Sequence, residues 1–148
     1  MNSLLRFPPP VIALVLALLA FALDQLIPLA AELLSPILGF VLITSGLVLA
    51  ASALAELRRQ GTTPMPLEEP TVLAADGPYV WTRNPMYLAL VTVLTGFAFF
   101  MGGLPLFLAP IAFFLLIDRV FIPYEENKLL NLFGRPYEAY LAAVRRWL

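Results

Sequence analysis

Two polar elements in this chain stand against long apolar runs, and their residue types suit the binding of a charged small molecule. The first is Gly77-Pro78-Tyr79 followed by Arg83-Asn84-Pro85-Met86-Tyr87. Asn is a favoured helix N-cap and Pro a favoured first helical residue. A helix is therefore expected to begin at Asn84, with its positive dipole end and first amides turned toward the preceding loop. Such a start suits a carboxylate or a phosphate. It is also how an ordinary capped helix with a snorkelling Arg and interfacial aromatics would read. The second element is Glu125-Glu126, with Pro123 just before it and Phe133-Gly134-Arg135-Pro136-Tyr137 after it. Pro123 marks a helix start, and acids in a first turn favour the dipole. Neighbours on a helix point about 100° apart, so only one of the two carboxylates faces a given site. That one would bind a polyhydroxyl or cationic ligand. Arg119, beside Asp118, either snorkels, pairs with that Asp or receives an anionic head group.

The types that are missing narrow the chemistry further. The chain has no Cys and no His. This removes disulfides, thiol redox chemistry, Cys/His metal sites and histidine general bases. Proton transfer falls to Asp, Glu, Tyr, Lys or the substrate. A net charge of −1 gives no reason to expect nucleic acid as a partner, and no metal is expected.

The elements that must hold these residues are apolar helices. Of 148 residues, 61% are hydrophobic and 13% charged, a balance that fits lipid-facing helices better than a soluble core. Four apolar runs are read as spans, at 8–27, 35–57, 85–101 and 104–122, in an all-α integral membrane protein of one domain covering 1–148. Ser35-Pro36 is an N-cap and first-residue pair, Pro110 is a kink position, and Gly102-Gly103 turns the third run into the fourth. Arg6 followed by prolines, with no small-residue cleavage site, does not read as a signal peptide. With the N-terminus in the cytoplasm, all nine Lys and Arg residues fall on the cytoplasmic side. The outer connections then hold only Asp24 and Glu32, for which no catalytic role is expected. This is a strong positive-inside pattern and puts both termini in the cytoplasm. A loop at 58–84 and a tail at 123–148 remain on that side. Apolar residues recur at helical spacing in the tail, which Gly134 and Pro136 divide into two short amphipathic helices.

In their order and spacing these elements resemble the isoprenylcysteine carboxyl methyltransferase family and the related phospholipid methyltransferases. The resemblance rests on Gly61-Thr62-Thr63, Leu73, Gly77-Pro78-Tyr79, Arg83-Asn84-Pro85-Met86-Tyr87, Glu125-Glu126 and Phe133-Gly134-Arg135-Pro136-Tyr137-Glu138-Ala139-Tyr140. It covers about residues 58 to 148. It implies an enzyme of a bacterial or archaeal cytoplasmic membrane that uses S-adenosyl-L-methionine, with its site facing the cytoplasm. Membrane lipids would surround it, and the methyl acceptor would be lipophilic. The implied cofactor pocket takes in Thr71, Val72, Leu73 and Ala74, then Tyr79, Asn84, Pro85, Met86, Tyr87 and Glu125. The helix start would hold the methionine part, and Glu125 the ribose or amino group. Arg119 would face the substrate, and Glu126 or a tyrosine would take a proton from an amine or phenol acceptor. Where relatives have His in Arg-His-Pro, this chain has Asn84, which caps and hydrogen-bonds but takes no proton at neutral pH.

A non-catalytic membrane assembly or binding protein that keeps the fold is the alternative. A transporter is disfavoured, because no ionisable residue lies mid-span and no inverted repeat is visible.

Overall fold

The computed structural model describes residues 7–29, 35–62 and 71–148. Arg6, Glu32, Thr63 and the 63–70 part of the long loop lie outside the described residues. Among the described residues six α-helices follow one another: α1 Pro9–Leu26, α2 Pro36–Arg59, α3 Pro85–Met101, α4 Leu108–Leu116, α5 Ile122–Phe133 and α6 Arg135–Ala143. Among the described residues there is no strand.

The ends of these helices follow from local chemistry. Ser35 Oγ accepts from Leu38 N at 3.3 Å and Pro36 opens α2, as its sequence predicts. Arg58 and Arg59 stand in the last turn, where cations oppose the negative dipole end. Gly102 closes α3 in the left-handed conformation at φ 80°, which only glycine adopts freely. Pro110 stands in the first turn of α4, just after a 3-10 turn at Leu104–Phe107, where a missing amide costs little.

Pro123 does not start a new helix. Between Ile117 and Phe121 the chain widens into a π-turn, in which Ile122 N bonds Ile117 O. α4 therefore runs on into α5, and the helical rod spans Leu104–Phe133. The wide turn admits Pro123, which has no amide to give. The expected end of the fourth run at 122 is thus corrected. Glu125 and Glu126 sit inside a continuous helix, so the first-turn dipole argument for them does not hold. Gly134 (φ 58°) ends α5 and Pro136 opens α6, as expected for the tail.

Two seams hold the helices together. α1, α3 and α4 surround a core in which Phe113, Ile117, Phe121 and Ile122 are fully buried. α2 lies along α3 through small residues: Gly39, Gly46 and Ala53 on one side, Ala89 and Gly96 on the other, all buried. A Cβ on Gly39 would stand 2.7 Å from Gly96 O, and one on Gly96 2.8 Å from Gly39 O. Close backbone approach of this kind is how helices pack where lipid offers no hydrophobic drive. The outward faces are apolar, with Leu14, Leu19, Ile37 and Phe40 all well exposed. Among the described residues three helices are long and apolar enough to cross a membrane, Pro9–Leu26, Pro36–Arg59 and Leu104–Phe133, and Pro85–Met101 is a shorter apolar one.

The Gly39 contact makes a stability prediction. Gly39→Ala is expected to cost about 1–3 kcal/mol through overpacking against backbone. Leu47→Ala, on the outward face, is expected to leave melting in detergent nearly unchanged. Equal melting temperatures for wild type and Gly39→Ala would show that α2 and α3 do not approach this closely.

Candidate functional site

At the Arg83 end of the bundle lies a cavity of about 260 Å³. The starts of α1 and α3, the end of α2, the segment 72–79, α5 and α6 all line it. The volume is close to the lower end of small-molecule pockets, roughly 300–1,000 Å³.

The 72–79 segment is docked on α2. Tyr79 is buried against Ala53 and Leu57, with Ala74 and Met86 beside them. Tyr79 sits in the short turn Gly77–Val80, where Gly77 takes φ 59°. From α6, Tyr140 Oη donates to Tyr79 O at 2.7 Å, which fixes this turn from the far side. Burial pushes the Tyr79 phenol well up. Burial likewise raises that of Tyr140, to about 12, against the pull of Arg83.

The cavity's two carboxylates have different surroundings. Glu125 Oε1 accepts from Tyr87 Oη at 2.5 Å, so a residue of α5 is bonded to one in the first turn of α3. Glu126 faces two cations. Arg83 stands 3.1 Å from its Oε1, and Arg146 reaches both oxygens, at 3.2 and 2.6 Å. Arg146 also contacts Asp118 Oδ1 at 3.4 Å, an atom that accepts from Trp147 Nε1 at 3.0 Å. Trp147 packs on Phe114 at 4.7 Å. Charge-assisted hydrogen bonds of this kind are each worth roughly 1.5–3 kcal/mol, so Glu126 is committed to the wall. Arg83 is no snorkelling residue: its side chain is only 13% exposed. Its Nε is buried without a hydrogen-bond partner among the described residues, a donor left over in the cavity wall.

Most residues singled out by sequence meet here. Val72, Leu73, Ala74, Tyr79, Asn84, Pro85, Met86, Tyr87, Glu125 and Glu126 line the one cavity. Thr71 does not; its hydroxyl donates to Gly61 O at 3.1 Å and ties the loop to the end of α2. Arg119 does not either. It is 77% exposed and lies 3.6 Å from Asp118, outside the cavity. Asn84 corrects an expectation: it occupies the N-cap position, yet its side chain makes no capping bond and donates instead to Arg146 O at 2.9 Å.

Sequence reasoning did not assign Pro8–Pro10, Leu57, Arg83, Tyr137 or Tyr140 to the pocket, although all line it. Arg83 and the two tyrosines belong to the motifs it quoted. Pro8–Pro10 carried no signal, since they come to the site only through the packing of α1.

Tyr140 gives a pH prediction. Its phenol ionises near 10 in the unfolded chain and at about 12 in the folded one. Its contribution is therefore complete below pH 10 and is lost as pH rises from 10 to 12. Tyr140→Phe should melt earlier at pH 7, by about 1 kcal/mol for the hydrogen bond to Tyr79 O, but lose less on going to pH 12. Parallel alkaline declines in melting temperature for the two proteins would rule this out.

The model of the phospholipid methyltransferase family matches residues 34–136, which include α2, α3, α4 and α5. An uncharacterized protein of Haemophilus influenzae is 38% identical over 63 residues, 43% of this chain and the whole of that relative. No solved structure matches. With seven-tenths of its length under one family model, and the motif residues gathered at one cavity, the chain belongs to the phospholipid methyltransferase family, whose members are membrane methyltransferases.

Proposed function

We propose that the protein transfers a methyl group from S-adenosyl-L-methionine to a lipophilic acceptor at the cavity between α1, α2, α3, α5 and α6. The observation that carries this reading is the convergence of nine of the ten residues expected for the cofactor on that one cavity, around the Tyr87–Glu125 hydrogen bond. In the same reading α1, α2, α3 and the Leu104–Phe133 rod make four spans. Both termini and the cavity face the cytoplasm, because the cations gather there.

The residues present fit S-adenosyl-L-methionine. A half-buried carboxylate among tyrosine rings suits a sulfonium and an ammonium. The start of α3 and the leftover Arg83 Nε suit a carboxylate. Leu57, Val72, Leu73 and Leu90 offer an apolar wall for a base. When bound, the cofactor supplies an electrophilic methyl carbon. The chain's own tasks are then to align and to dry the site. Glu125, oriented by Tyr87, holds the positive end of the ligand. Tyr79, Tyr137 and Tyr140 shield it from water on the α6 side. The Arg83–Glu126–Arg146 cluster keeps the α3 start and α5 at fixed spacing. The acceptor enters from the bilayer along the apolar flank formed by Pro8–Pro10 and Leu57; a prenylcysteine carboxylate or a phospholipid amine both answer to this description.

Binding tests the reading directly. The detergent-solubilised protein is expected to bind S-adenosyl-L-methionine or S-adenosylhomocysteine, measured by calorimetry. Glu125→Gln should weaken that binding about tenfold or more while the melting temperature holds. Labelled methyl should also appear in a membrane lipid extract, to be identified by mass spectrometry. No binding of either compound at millimolar concentration would leave the protein as a non-catalytic member of its fold.

A further inference from the structure

After Ala143 the chain leaves the helix, turns extended at Val144 (φ −119°, ψ 135°) and runs across the residues just before α3. Arg83 N donates to Arg145 O at 2.9 Å. Thr82 Oγ1 and Asn84 Nδ2 both donate to Arg146 O, at 3.1 and 2.9 Å. Thr82 is almost fully buried by this crossing. Arg146 then anchors the tail through its guanidinium, on Glu126 and Asp118. The crossing residues Val144, Arg145 and Arg146 lie beyond 136, where the family match ends.

The crossing changes what the α3 start can do. An Asn at an N-cap ordinarily turns its side-chain oxygen onto the second or third amide of its helix. Asn84 has ψ 54° and makes no such bond; its side-chain amide is held instead by the bond from its nitrogen to Arg146 O. The first intrahelical bond runs from Leu88 N to Asn84 O at 2.9 Å. The amides of Met86 and Tyr87 precede it and are left uncapped by Asn84, in residues that line the cavity.

We infer that Arg146 is a positioning residue for the site. Its carbonyl draws Asn84 away from the α3 amides, and its guanidinium keeps the tail in place, so that the helix start stays open toward a ligand. This rests on the reading of the cavity as a cofactor site. It differs in sign from a plain structural tie. A tie predicts that loosening it lowers stability and binding together. A positioning role predicts that a self-capping α3 is as stable as before and binds worse.

Asn84→Ser separates the two. Ser caps as well as Asn, is neutral, and is one bond too short to hold Arg146 O. In the full-length protein in detergent, this variant is expected to bind S-adenosylhomocysteine about tenfold more weakly. Its melting temperature should equal or exceed that of wild type. Arg146→Met should weaken binding by a similar factor and add little to Asn84→Ser in the double variant, since both act on one contact. Arg146→Lys should restore part of the loss. The inference is overturned if Asn84→Ser binds like wild type, if it loses stability and affinity together, or if the two losses add in full. Should Arg146→Met fail to fold, Asn84→Ser decides alone. Wild-type protein that binds neither cofactor nor product overturns the cofactor reading, and this inference with it. That first measurement tells this failure apart from failure of the positioning role alone.

Discussion

One carboxylate holds the functional end of this molecule together. Glu126 of α5 lies between Arg83, just before α3, and Arg146, in the tail, so three segments distant in sequence meet at a single side chain. The arrangement is largely withdrawn from water: Arg83 and Glu126 are 13% and 19% exposed. Removing Glu126 itself would leave the buried Arg83 without this counter-charge, and uncompensated buried charge of this kind costs roughly 3–5 kcal/mol. The positions of Asn84, Tyr87 and Glu125 all depend on α3 and α5 being kept at the spacing this cluster sets.

The rest of the bundle is built to let that cluster exist. Helices in lipid gain little from apolar contact with one another, and α2 meets α3 by shape, through glycine and alanine. α1 packs instead on α4 and on the 3-10 turn before it. α3 also packs on α4 and so joins the two pairs, and the cavity lies at the Arg83 end, where the polar residues are. The space there is filled by side chains from the 72–79 segment and from α6, with the cavity left over among them.

What the sequence made legible was local. Ser35-Pro36, Gly102 and Gly134 mark helix ends by their own conformational preferences, and each does so in the structure. The motif residues around Tyr79, Tyr87 and Glu125 were legible because short contiguous stretches carry them to one place. Contacts made at long range were not. Asn84 has the composition of a cap, but a carbonyl 62 residues away competes for it and wins. Glu126 looked like a free first-turn acid, yet neither guanidinium on it is near in sequence. Pro123 read as a helix start because the α-helical rule penalises proline, and a π-turn changes the rule. Arg119 was adjacent to the right residues in sequence and still points elsewhere, as the exposed partner of Asp118.

The π-turn has one more meaning. It takes up one residue beyond the α repeat, so every residue of α5 stands where its predecessor would stand on a regular helix, about 100° back around the axis. The neighbours Glu125 and Glu126 differ by that same angle. Winding 117–121 as regular α-helix would carry Glu125 into the place of Glu126, toward the two arginines, and would turn Tyr124 toward Tyr87. Chemically the two acids are interchangeable. Which of them is clasped by the arginines and which meets Tyr87 is decided by the phase of the helix, set by a single extra residue in the turn at Ile117–Phe121.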